Sequence, residues 1–415
     1  MTRLTTESVD VLVVGGGPAG AATAALLSRA GVQVTVLDRA RFPRPKACAE
    51  FLSPQAARVL ERLGVLDRIE AAGPARLDGL VIRAPGGALV RGDYAAAHGY
   101  RAHRDYALSL PRTTLDPLLL ANARAAGATV EESTQVTQLE HDRRGRVVGV
   151  EARTGGETRR LRARLVVGAD GLRSTVARRL GLARRASWPR RVGLTAHFAR
   201  VEGVRPLGEM HVEADGFVGI ADVGDGLVNV SLVVPASRGH ELRGDAAGFL
   251  HRWIMARPQL AARFANAERV TPVRASGPYA SHARRPWSPG AALVGDAADF
   301  FDPFTGEGIY AALRGGELLA DIVAGERDAL AHPVRLDRLL QAYARAHAAE
   351  FRGKQRVERI IGLCVAWPRV VDRAARVLSA RRDLADLLVG VVGDFVPASR
   401  VLTVSYLSSI FLRSP

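Results

Sequence analysis

The sequence is poor in lysine, which stands at two of its 415 positions, so nearly all of its positive charge is carried by arginine. Lysine and arginine together number 58 against 42 acidic residues, which gives a formal net charge of +16. The arginines are spread along the chain, and clusters such as 178–191 lack the interleaved aromatic residues of a nucleic-acid surface. We therefore expect no nucleic-acid partner and place the arginines on solvated faces. A basic rim that attracts an anionic cofactor or substrate is the alternative.

Cysteine is equally scarce, and Cys48 and Cys364 are too few for a disulfide framework in a chain of this length. The first residues show no basic, apolar and cleavage-site succession, and no run of 18 uncharged apolar residues is present. These features predict a cytoplasmic protein without a spanning helix. The apolar segment 401–412 is too short to cross a bilayer, so we expect a docked C-terminal helix, with peripheral membrane contact as the alternative.

Metal-ligand spacing is also missing, because histidine, cysteine and aspartate do not cluster along the chain. No Ser-His-Asp set is evident, since Ser174 follows an Asp-Gly turn and lacks a nucleophile elbow. The sequence therefore predicts neither a metal centre nor a serine hydrolase.

The stretch VLVVGGGPAGAATAALLSRAGVQVTVLDR (11–39) has the pattern of a strand, a glycine turn, a helix and a second strand. The β-branched run 9–17 ends at glycine, which is typical of a buried parallel strand. The alanine-rich segment 18–31 favours a helix that ends at Gly31, and 32–39 alternates like a second strand. The stretch therefore predicts a βαβ unit with glycines at its first turn.

Three of these glycines fit the pattern G-x-G-x-x-G, and each has a physical task. Gly15 permits the tight turn, Gly17 lets the backbone approach a pyrophosphate, and Gly20 lets the helix pack close to the strand. Asp38 ends the second strand about 20 residues on, where a carboxylate can accept hydrogen bonds from ribose hydroxyls. The unit predicts a dinucleotide site but does not separate FAD from NAD.

Two later segments favour FAD. Residues 162–182 read as a strand that ends in Asp170-Gly171, and residues 290–323 as a strand that ends in Gly295-Asp296 before a glycine-rich turn and a long helix. The three motifs, in this order, resemble the flavoprotein superfamily of aromatic-ring hydroxylases (the p-hydroxybenzoate hydroxylase fold), geranylgeranyl reductases and flavin-dependent halogenases. The resemblance spans about residues 9 to 325 and implies FAD as the cofactor.

The same resemblance assigns roles to individual residues. Asp296 would bind the ribitol, Gly306 and Gly308 would lie under the isoalloxazine, and Asp170 would brace the cofactor region. The segment 108–130 resembles the R-x-x-x-D-x-x-L helix of the family, in which Arg112 would contact the flavin side of FAD and Asp116 is its helix neighbour. The backbone at Val136 would hold the adenine. The residues expected at the cofactor are Gly15, Gly17, Pro18, Ala19, Gly20, Asp38, Arg39, Lys46, Arg112, Val136, Asp170, Asp296, Gly306, Gly308 and Ile309.

The segment FPRPKACAEFLSPQAARVLERLGV (42–65) indicates which branch of this flavoprotein superfamily the sequence resembles most. It resembles the K-x-C-G-E-x-L-S-P segment of geranylgeranyl reductases and related natural-product and quinone-modifying oxidoreductases, through Lys46, Cys48, Glu50 and the following Leu-Ser-Pro. Ala49 departs from the pattern, since glycine is usual there. By this resemblance Cys48 would sit near the flavin, although a small buried hydrophobe is the plain alternative.

The expected fold is α/β, with a Rossmann-like FAD-binding domain of the p-hydroxybenzoate hydroxylase/glutathione reductase type, an inserted antiparallel β-sheet substrate domain and a C-terminal helical region. The FAD-binding domain would comprise residues 1–75, 108–185 and 281–325, and the substrate domain residues 76–107 and 186–280. The helical region would comprise residues 326–415.

An enzyme of this kind would be an FAD-dependent oxidoreductase with NADPH or NADH as electron donor. The reaction favoured by the frequency of oxygenation in the superfamily is hydroxylation of an aromatic or polycyclic lipophilic metabolite by O2, through a flavin C4a-hydroperoxide. The rival is hydride transfer to a prenyl or quinone double bond, which the segments CAE (48–50) and FTGEG (304–308) favour. Glu50, Cys48 and His211 are the candidate catalytic residues, and His197 shares with His211 a strand-like position that could face the pocket.

Two further functions stay open. A halogenase is disfavoured because the four tryptophans are far apart in the chain and none forms a W-x-W-x-x-P segment. The alternative that is not an enzyme is a binding protein that contains flavin but has no turnover.

Overall fold

The structure is a computed structural model that describes residues 8–95, 98–186, 188 and 190–411. Its longer helices, in chain order, are α1 (Pro18–Arg29), α2 (Ala56–Arg62), α3 (Leu66–Glu70), α4 (Arg112–Ala125), α5 (Thr175–Arg179), α6 (Ala246–Met255), α7 (Pro258–Phe264), α8 (Gly308–Gly325), α9 (Pro333–Cys364), α10 (Pro368–Ala380), α11 (Arg382–Val392) and α12 (Val404–Phe411).

The strands, in chain order, are β1 (Ser8–Val14), β2 (Val34–Leu37), β3 (Phe51–Leu52), β4 (Ala75–Leu77), β5 (Gly79–Arg83), β6 (Leu89–Asp93), β7 (Ala107–Ser109), β8 (Thr129–Glu131), β9 (Thr134–His141), β10 (Val147–Thr154), β11 (Glu157–Gly168), β12 (Ala183–Arg185), β13 (Arg191–Ala199), β14 (Gly208–Glu213), β15 (Gly216–Asp222), β16 (Leu227–Pro235), β17 (Glu268–Arg269), β18 (Arg274–Ser276), β19 (Ser281–Ala283), β20 (Trp287–Ser288), β21 (Ala291–Leu293) and β22 (Asp299–Phe300).

The central sheet has the strand order β20-β21-β11-β1-β2-β8, and β9 and β10 extend it from β11. Strand β1 pairs in parallel with both β2 and β11, as the βαβ pattern predicts. In this register the last residue of β1, Val14, lies beside Leu37 and Gly168. The loops that follow these three strands therefore meet at one edge of the sheet.

The two faces of β1 enter different hydrophobic cores. Val11 and Val13 pack with residues of α1, α4 and α8, whereas Leu12 and Val14 pack with residues of β9, β10 and α5. A parallel strand covered on both sides reads as an unbroken apolar run, which explains the sequence of this segment.

The second large sheet has the strand order β17-β13-β16-β15-β14-β5-β6, with β18 paired to β13. Alternate residues of β13 and β16 pack with α6 and α7 in one core, for example Leu194 and Val230 against Phe249. The opposite face of the sheet, which carries Thr195 and Ser231, lines a cavity above the edge of the central sheet. Helices α6 and α7 fall in segment 242–268, where the sequence predicts a helical insertion.

The chain after residue 326 is helical apart from short connections, and the predicted fold class is confirmed. Helix α12 docks through Tyr406 and Ile410, which are buried in the core that also holds α10 and α11. This agrees with the docked C-terminal helix expected from 401–412, of which residue 412 lies outside the described residues. The division into domains stays a prediction, and residues 1–7 and 412–415 of its outer segments are likewise not described.

The sequence did not foresee a small sheet of order β3-β7-β4. It ties Phe51 and Leu52, next to the K-x-C segment, to residues 107–109. None of the described helices is both long enough and apolar enough to span a bilayer.

Candidate active site

A cavity of about 790 Å³ lies between the carboxyl edge of the central sheet and the second sheet. Of the fifteen residues expected at the cofactor, fourteen line it, and Gly20 is the exception. A Cβ at Gly20 would overlap the carbonyl oxygen of Gly15, so this glycine serves the close packing of helix against strand. The cavity volume falls within the range of about 300–1,000 Å³ usual for ligand sites.

The glycine turn has the geometry that its sequence suggests. Gly15 has φ +106°, and a Cβ there would lie 2.5 Å from the carbonyl oxygen of Ala169. A Cβ at Gly17 would instead meet only the guanidinium groups of Arg44 and Arg112, at 3.3 and 3.8 Å. No side chain of the described residues caps α1, so its first N–H groups are available to a ligand beside two cations. This arrangement suits phosphate groups.

Asp38 is buried and fixes the turn from the end of β2. One carboxylate oxygen accepts a hydrogen bond from the N–H of Gly16 at 2.7 Å, and the other accepts one from Ala40 at 2.8 Å. Each oxygen has a second lone pair. Asp38 can therefore hold the turn and still accept a hydroxyl from the cavity, which it lines.

Arg112 begins α4 and forms a two-pronged ion pair with Asp116, through distances of 2.7 and 2.8 Å. Both side chains are almost fully buried, at 3% and 0% exposure. Burial opposes the charge on Arg112, but Asp116 and Cys48 together outweigh it and hold the pKa of the guanidinium above its ordinary value. Arg112 is thus a fixed cation on the cavity wall.

Lys46 lines the cavity and pairs with Asp296, its Nζ 3.3 Å from Oδ2. Gly171 lies close to both groups, since a Cβ there would be 3.9 Å from that Nζ and 4.0 Å from that oxygen. The three segments that carried the resemblance therefore converge on one place. Asp170 accepts hydrogen bonds from the Ser174 hydroxyl and the Thr175 N–H, so it caps α5 and braces the turn.

The start of α8 forms the floor of the cavity at its other end. Gly306 has φ +74°, and a Cβ there would lie 3.1 Å from the ring of Phe51. Within the part of the chain that the structure describes, no side chain caps this helix either, so its first N–H groups, near Gly308 and Ile309, are free for an anionic acceptor. A negatively charged flavin edge is such an acceptor.

The buried Glu50 side chain has both carboxylate oxygens engaged by other residues of the protein. Its Oε1 accepts the N–H of Arg112 at 2.7 Å, and its Oε2 accepts the Asn229 amide at 2.9 Å and lies 2.6 Å from His197 Nε2. Its φ of +60° falls in the left-handed region, a strain that these contacts hold in place. Glu50 therefore clamps the second sheet, through Asn229 and His197, to the start of α4.

Cys48 lies beside this junction and lines the cavity. Its Sγ accepts the Glu50 N–H at 3.3 Å, and its carbonyl accepts the Asn229 amide at 2.9 Å. Ala49, which replaces the usual glycine, is not among the residues with positive φ. The departure from the family pattern therefore introduces no left-handed strain at position 49.

His211 is not among the described residues that line the cavity, although Glu209 and Met210 just before it are, so its catalytic role stays a prediction. Its Nε2 lies 2.9 Å from Glu209, whose carboxylate also binds Arg263 on α7. His211 is therefore connected to the cavity wall through Glu209.

Sequence reasoning missed an acidic wall at the α8 end of the cavity, which contains Asp299, Asp302, Glu307 and Glu358. Glu358 comes from α9, and its Oε1 lies 3.5 Å from the Thr305 hydroxyl. Burial and the charges of Asp299, Asp302 and Asp394 raise the pKa of Glu358 to about 8, although Lys354 opposes them.

Two other carboxyl groups of the acidic wall also have raised pKa values. Burial raises the pKa of Asp299 to about 6. Burial likewise raises the pKa of Glu307 well above its ordinary value. The Glu307 side chain makes no hydrogen bond to another described residue, whereas Asp302 pairs with Arg191. The sequence offered a signal for Glu307, which lies in the segment FTGEG whose glycines were assigned to the flavin site. No motif in the surrounding sequence indicates a role for Glu358.

The rest of the cavity wall, on the second sheet and its flanks, is mostly apolar. Met210, Phe217, Val233, Tyr279 and Phe300 line it. Burial raises the pKa of Tyr279 to about 12, so its hydroxyl stays protonated. A lipophilic ligand would find contacts here, while the polar half of the cavity faces the glycine turn.

These features fit FAD. A Gly17 open between two guanidinium groups suits the pyrophosphate, Asp38 suits a ribose, and the uncapped start of α8 suits the flavin edge. The roles of single residues in holding the cofactor remain proposals, and the chemistry that FAD supplies when bound is the transfer of two electrons.

Comparison with known proteins agrees with the geometry. Residues 8–351 match the family described as FAD binding domain. The menaquinone reductase of Mycolicibacterium smegmatis is 30% identical over 93% of this chain and 92% of its own length. Digeranylgeranylglycerophospholipid reductase 2 of Methanopyrus kandleri is 33% identical over 76% of each chain. The 6-methylpretetramide 4-monooxygenase of Streptomyces rimosus is 31% identical over 92% of this chain and 88% of its own.

Among solved structures, the myxobacterial chondrochloren halogenase CndH superposes with a TM-score of 0.79 at 23% identity, covering 99% of this chain and 98% of the halogenase. That likeness concerns the fold alone. The family match and the relatives carry the assignment of cofactor and reaction class. The chain therefore belongs to the FAD-binding-domain family and is an FAD-dependent oxidoreductase.

Proposed function

We propose that the protein is a reductase that adds two hydrogens to a carbon–carbon double bond of a lipophilic isoprenoid or quinone-type substrate, with NADPH or NADH as electron donor. The observation that carries this proposal is the acidic wall, above all Glu358. Its pKa of about 8 keeps it protonated at neutral pH. Saturation of a double bond requires a hydride and a proton, so it needs an acid that is protonated at the working pH.

The placement of the acid supports this chemistry. Glu358 lines the same cavity as Gly306 and Gly308, where the flavin ring is expected, and as the apolar side chains of the second sheet. FAD, when bound, supplies the hydride chemistry. The residues of the chain orient the substrate, exclude water and hold the proton at the Glu358 carboxyl.

The relatives support the same direction. Two of them are named as reductases, one acting on menaquinone and one on digeranylgeranylglycerophospholipid. The K-x-C segment and the FTGEG turn also resemble the reductase branch. An isoprenoid chain suits the apolar part of the cavity.

A monooxygenase is the second candidate, because the Streptomyces rimosus monooxygenase is 31% identical over 92% of this chain. Hydroxylation of a phenol would consume O2 and would need a base in place of an acid. The Glu50–His197 pair, 2.6 Å apart, is the nearest arrangement of that kind. Its contacts with Asn229 and the Arg112 backbone commit it to a structural role, which is why we rank this candidate second.

The two candidates separate in one experiment. Purified protein loaded with FAD is incubated with NADPH and either a menaquinone, a geranylgeranyl lipid or a polycyclic phenol, with and without oxygen. The reductase is expected to add two hydrogens to an isoprenoid substrate without oxygen. A gain of one oxygen atom, dependent on O2, would overturn the proposal in favour of the monooxygenase.

A further inference from the structure

Two tryptophan side chains lie together on the outside of the protein. Trp188 and Trp367 are 53% and 51% exposed, and their ring centroids are 5.4 Å apart. They are 179 positions apart in the chain, so the fold, and not a local motif, brings them together. Large exposed aromatic pairs are unusual on a protein that faces water alone, and tryptophan favours the membrane–water boundary.

The pair sits close to the cavity. Trp367 follows the end of α9, and one turn earlier a Cβ at Gly362 would lie 2.9 Å from the ring of Phe301, which lines the cavity. On the other side, Ala186 donates its N–H to Ala280, and Ala280 donates its own to Phe301. Both tryptophans are therefore tied by short connections to one residue of the cavity wall.

Exposed arginines lie on α9, the helix that ends just before Trp367, and the one nearest to its end, Arg359, also lies close enough to Asp299 to oppose the rise of the Asp299 pKa. Arg352, Arg356 and Arg359 are exposed on α9 at the spacing i, i+4 and i+7, so they share one face of the helix. None of the three forms an ion pair within the described part of the chain, although the Arg359 guanidinium lies 5.9 Å from the centre of the Phe301 ring. Burial lowers the pKa of His282, and the charges of Arg359 and Arg184 lower it further, so both arginines lie in the neighbourhood of His282.

We propose that this surface docks on an anionic lipid bilayer. The Trp–Arg face, as we name it, consists of Trp188, Trp367, Arg184, Arg352, Arg356 and Arg359. The indoles would enter the headgroup layer, and the arginines would contact lipid phosphates and acidic headgroups. A second copy of this chain is the poorer occupant, since it would bring the same four arginines against this face.

Docking in this way has a consequence for the substrate. The face adjoins the cavity wall at Phe301, so docking would hold the cavity close to the bilayer from which a lipophilic substrate comes. That consequence rests on the proposed function, but the docking itself does not, because it is measured without substrate or turnover.

The test uses the full chain loaded with FAD and vesicles of phosphatidylcholine, with and without phosphatidylglycerol, in a flotation assay. We expect binding that requires phosphatidylglycerol and weakens with added salt. We also expect tryptophan fluorescence to be quenched by brominated lipid. Absence of binding to the anionic vesicles would overturn the proposal.

Matched variants locate the contact. Arg356→Gln with Arg359→Gln should weaken partitioning about tenfold or more, and Trp188→Ser with Trp367→Ser should also weaken it and abolish the quenching. The control Arg143→Gln with Arg269→Gln removes the same charge from exposed positions elsewhere and should change partitioning much less. Val334→Ser, an exposed apolar residue at the far end of α9, controls for the tryptophans.

Thermal unfolding and FAD content show whether each variant is folded. Folded face variants that bind vesicles as the native protein does would overturn the assignment of the face. The assignment would also be overturned if the native protein were a dimer and the variant Trp188→Ser with Trp367→Ser a monomer, because the tryptophan pair would then be a contact between two copies of the chain.

Discussion

The Thr305 hydroxyl lies 3.5 Å from Oε1 of Glu358, and this contact joins the glycine-rich turn before α8 to the C-terminal part of α9. Through it the C-terminal helices contribute to the wall of the cofactor cavity. The proton donor that we propose therefore comes from a different part of the chain than the residues expected to bind FAD.

Replacing Glu358 with glutamine should lower kcat by about 10²–10⁴-fold, the usual contribution of a positioned acid, with a much smaller change in KM. Reduction of bound flavin by NADPH should proceed at the native rate, since that step does not use the carboxyl. Steady-state and anaerobic stopped-flow kinetics measure the two steps. Glu157→Gln, on an exposed strand end, is the control, and a Glu358→Gln protein with native kcat would refute the donor role.

The proposed role of Glu358 predicts that kcat falls at high pH. Glu358 must be protonated to act, so kcat should be constant below about pH 8 and should fall tenfold per unit above it. The native kcat profile should lose this limb in Glu358→Gln. A native profile that rises through pH 8 would indicate a base and would contradict the assignment.

The raised pKa also affects stability, independently of activity. Between the ordinary glutamate pKa of 4.5 and about 8, the unfolded chain is ionised at this position while the folded protein retains the proton. The free energy of unfolding of the native protein should therefore fall with rising pH relative to that of Glu358→Gln across this window. Urea unfolding of both proteins at several pH values measures the difference, and parallel curves would mean that the pKa is not raised.

His347 gives the opposite dependence. It packs between Tyr343 and Phe351 on α9, and burial lowers its pKa to about 4 from 6.5, against a smaller effect of Glu350. As the pH falls from 6.5 toward 4, His347 takes up a proton in the unfolded chain but not in the folded protein. The free energy of unfolding therefore falls by up to about 1.4 kcal/mol per pH unit. His347→Gln should reduce this loss in urea unfolding, whereas the exposed His332→Gln should not. Equal slopes for native protein and His347→Gln would exclude the effect.

Gly17→Ala should weaken FAD binding while the protein stays folded. The added Cβ would clash with no backbone atom, because its nearest neighbours are two arginine side chains, but it would occupy the space proposed for the pyrophosphate. Fluorescence titration with FAD measures the affinity, and Gly239→Ala, which meets nothing within 4 Å, is the control. Native affinity in Gly17→Ala would show that the phosphates lie elsewhere.

The parts of the site that the sequence predicts well are those whose geometry is local. The turn at Gly15, Gly17 and Gly20 needs glycine for reasons that lie within a few residues, and Asp38 follows from the end of the next strand. Lys46 and Asp296 could be placed together only through the family resemblance, since 250 positions separate them.

The parts that the sequence missed depend on distant packing. A strand pattern does not say which residues of β14 reach a ligand: Glu209 and Met210 line the cavity, whereas His211 contacts it through Glu209. Glu358 is one of several charged residues on an amphipathic helix, and only the position of α9 against α8 shows that it faces the cavity. Trp188 and Trp367 likewise meet only in three dimensions.

The most direct test of the central claim is mass spectrometry of the product formed from an isoprenoid quinone with NADPH in D2O, by the native protein and by Glu358→Gln. We predict that the native protein adds two hydrogen isotopes across one double bond, at least one of them deuterium, and that the variant yields little product although its flavin is reduced normally. A product that carries one added oxygen atom, or equal yields from the two proteins, would contradict the account.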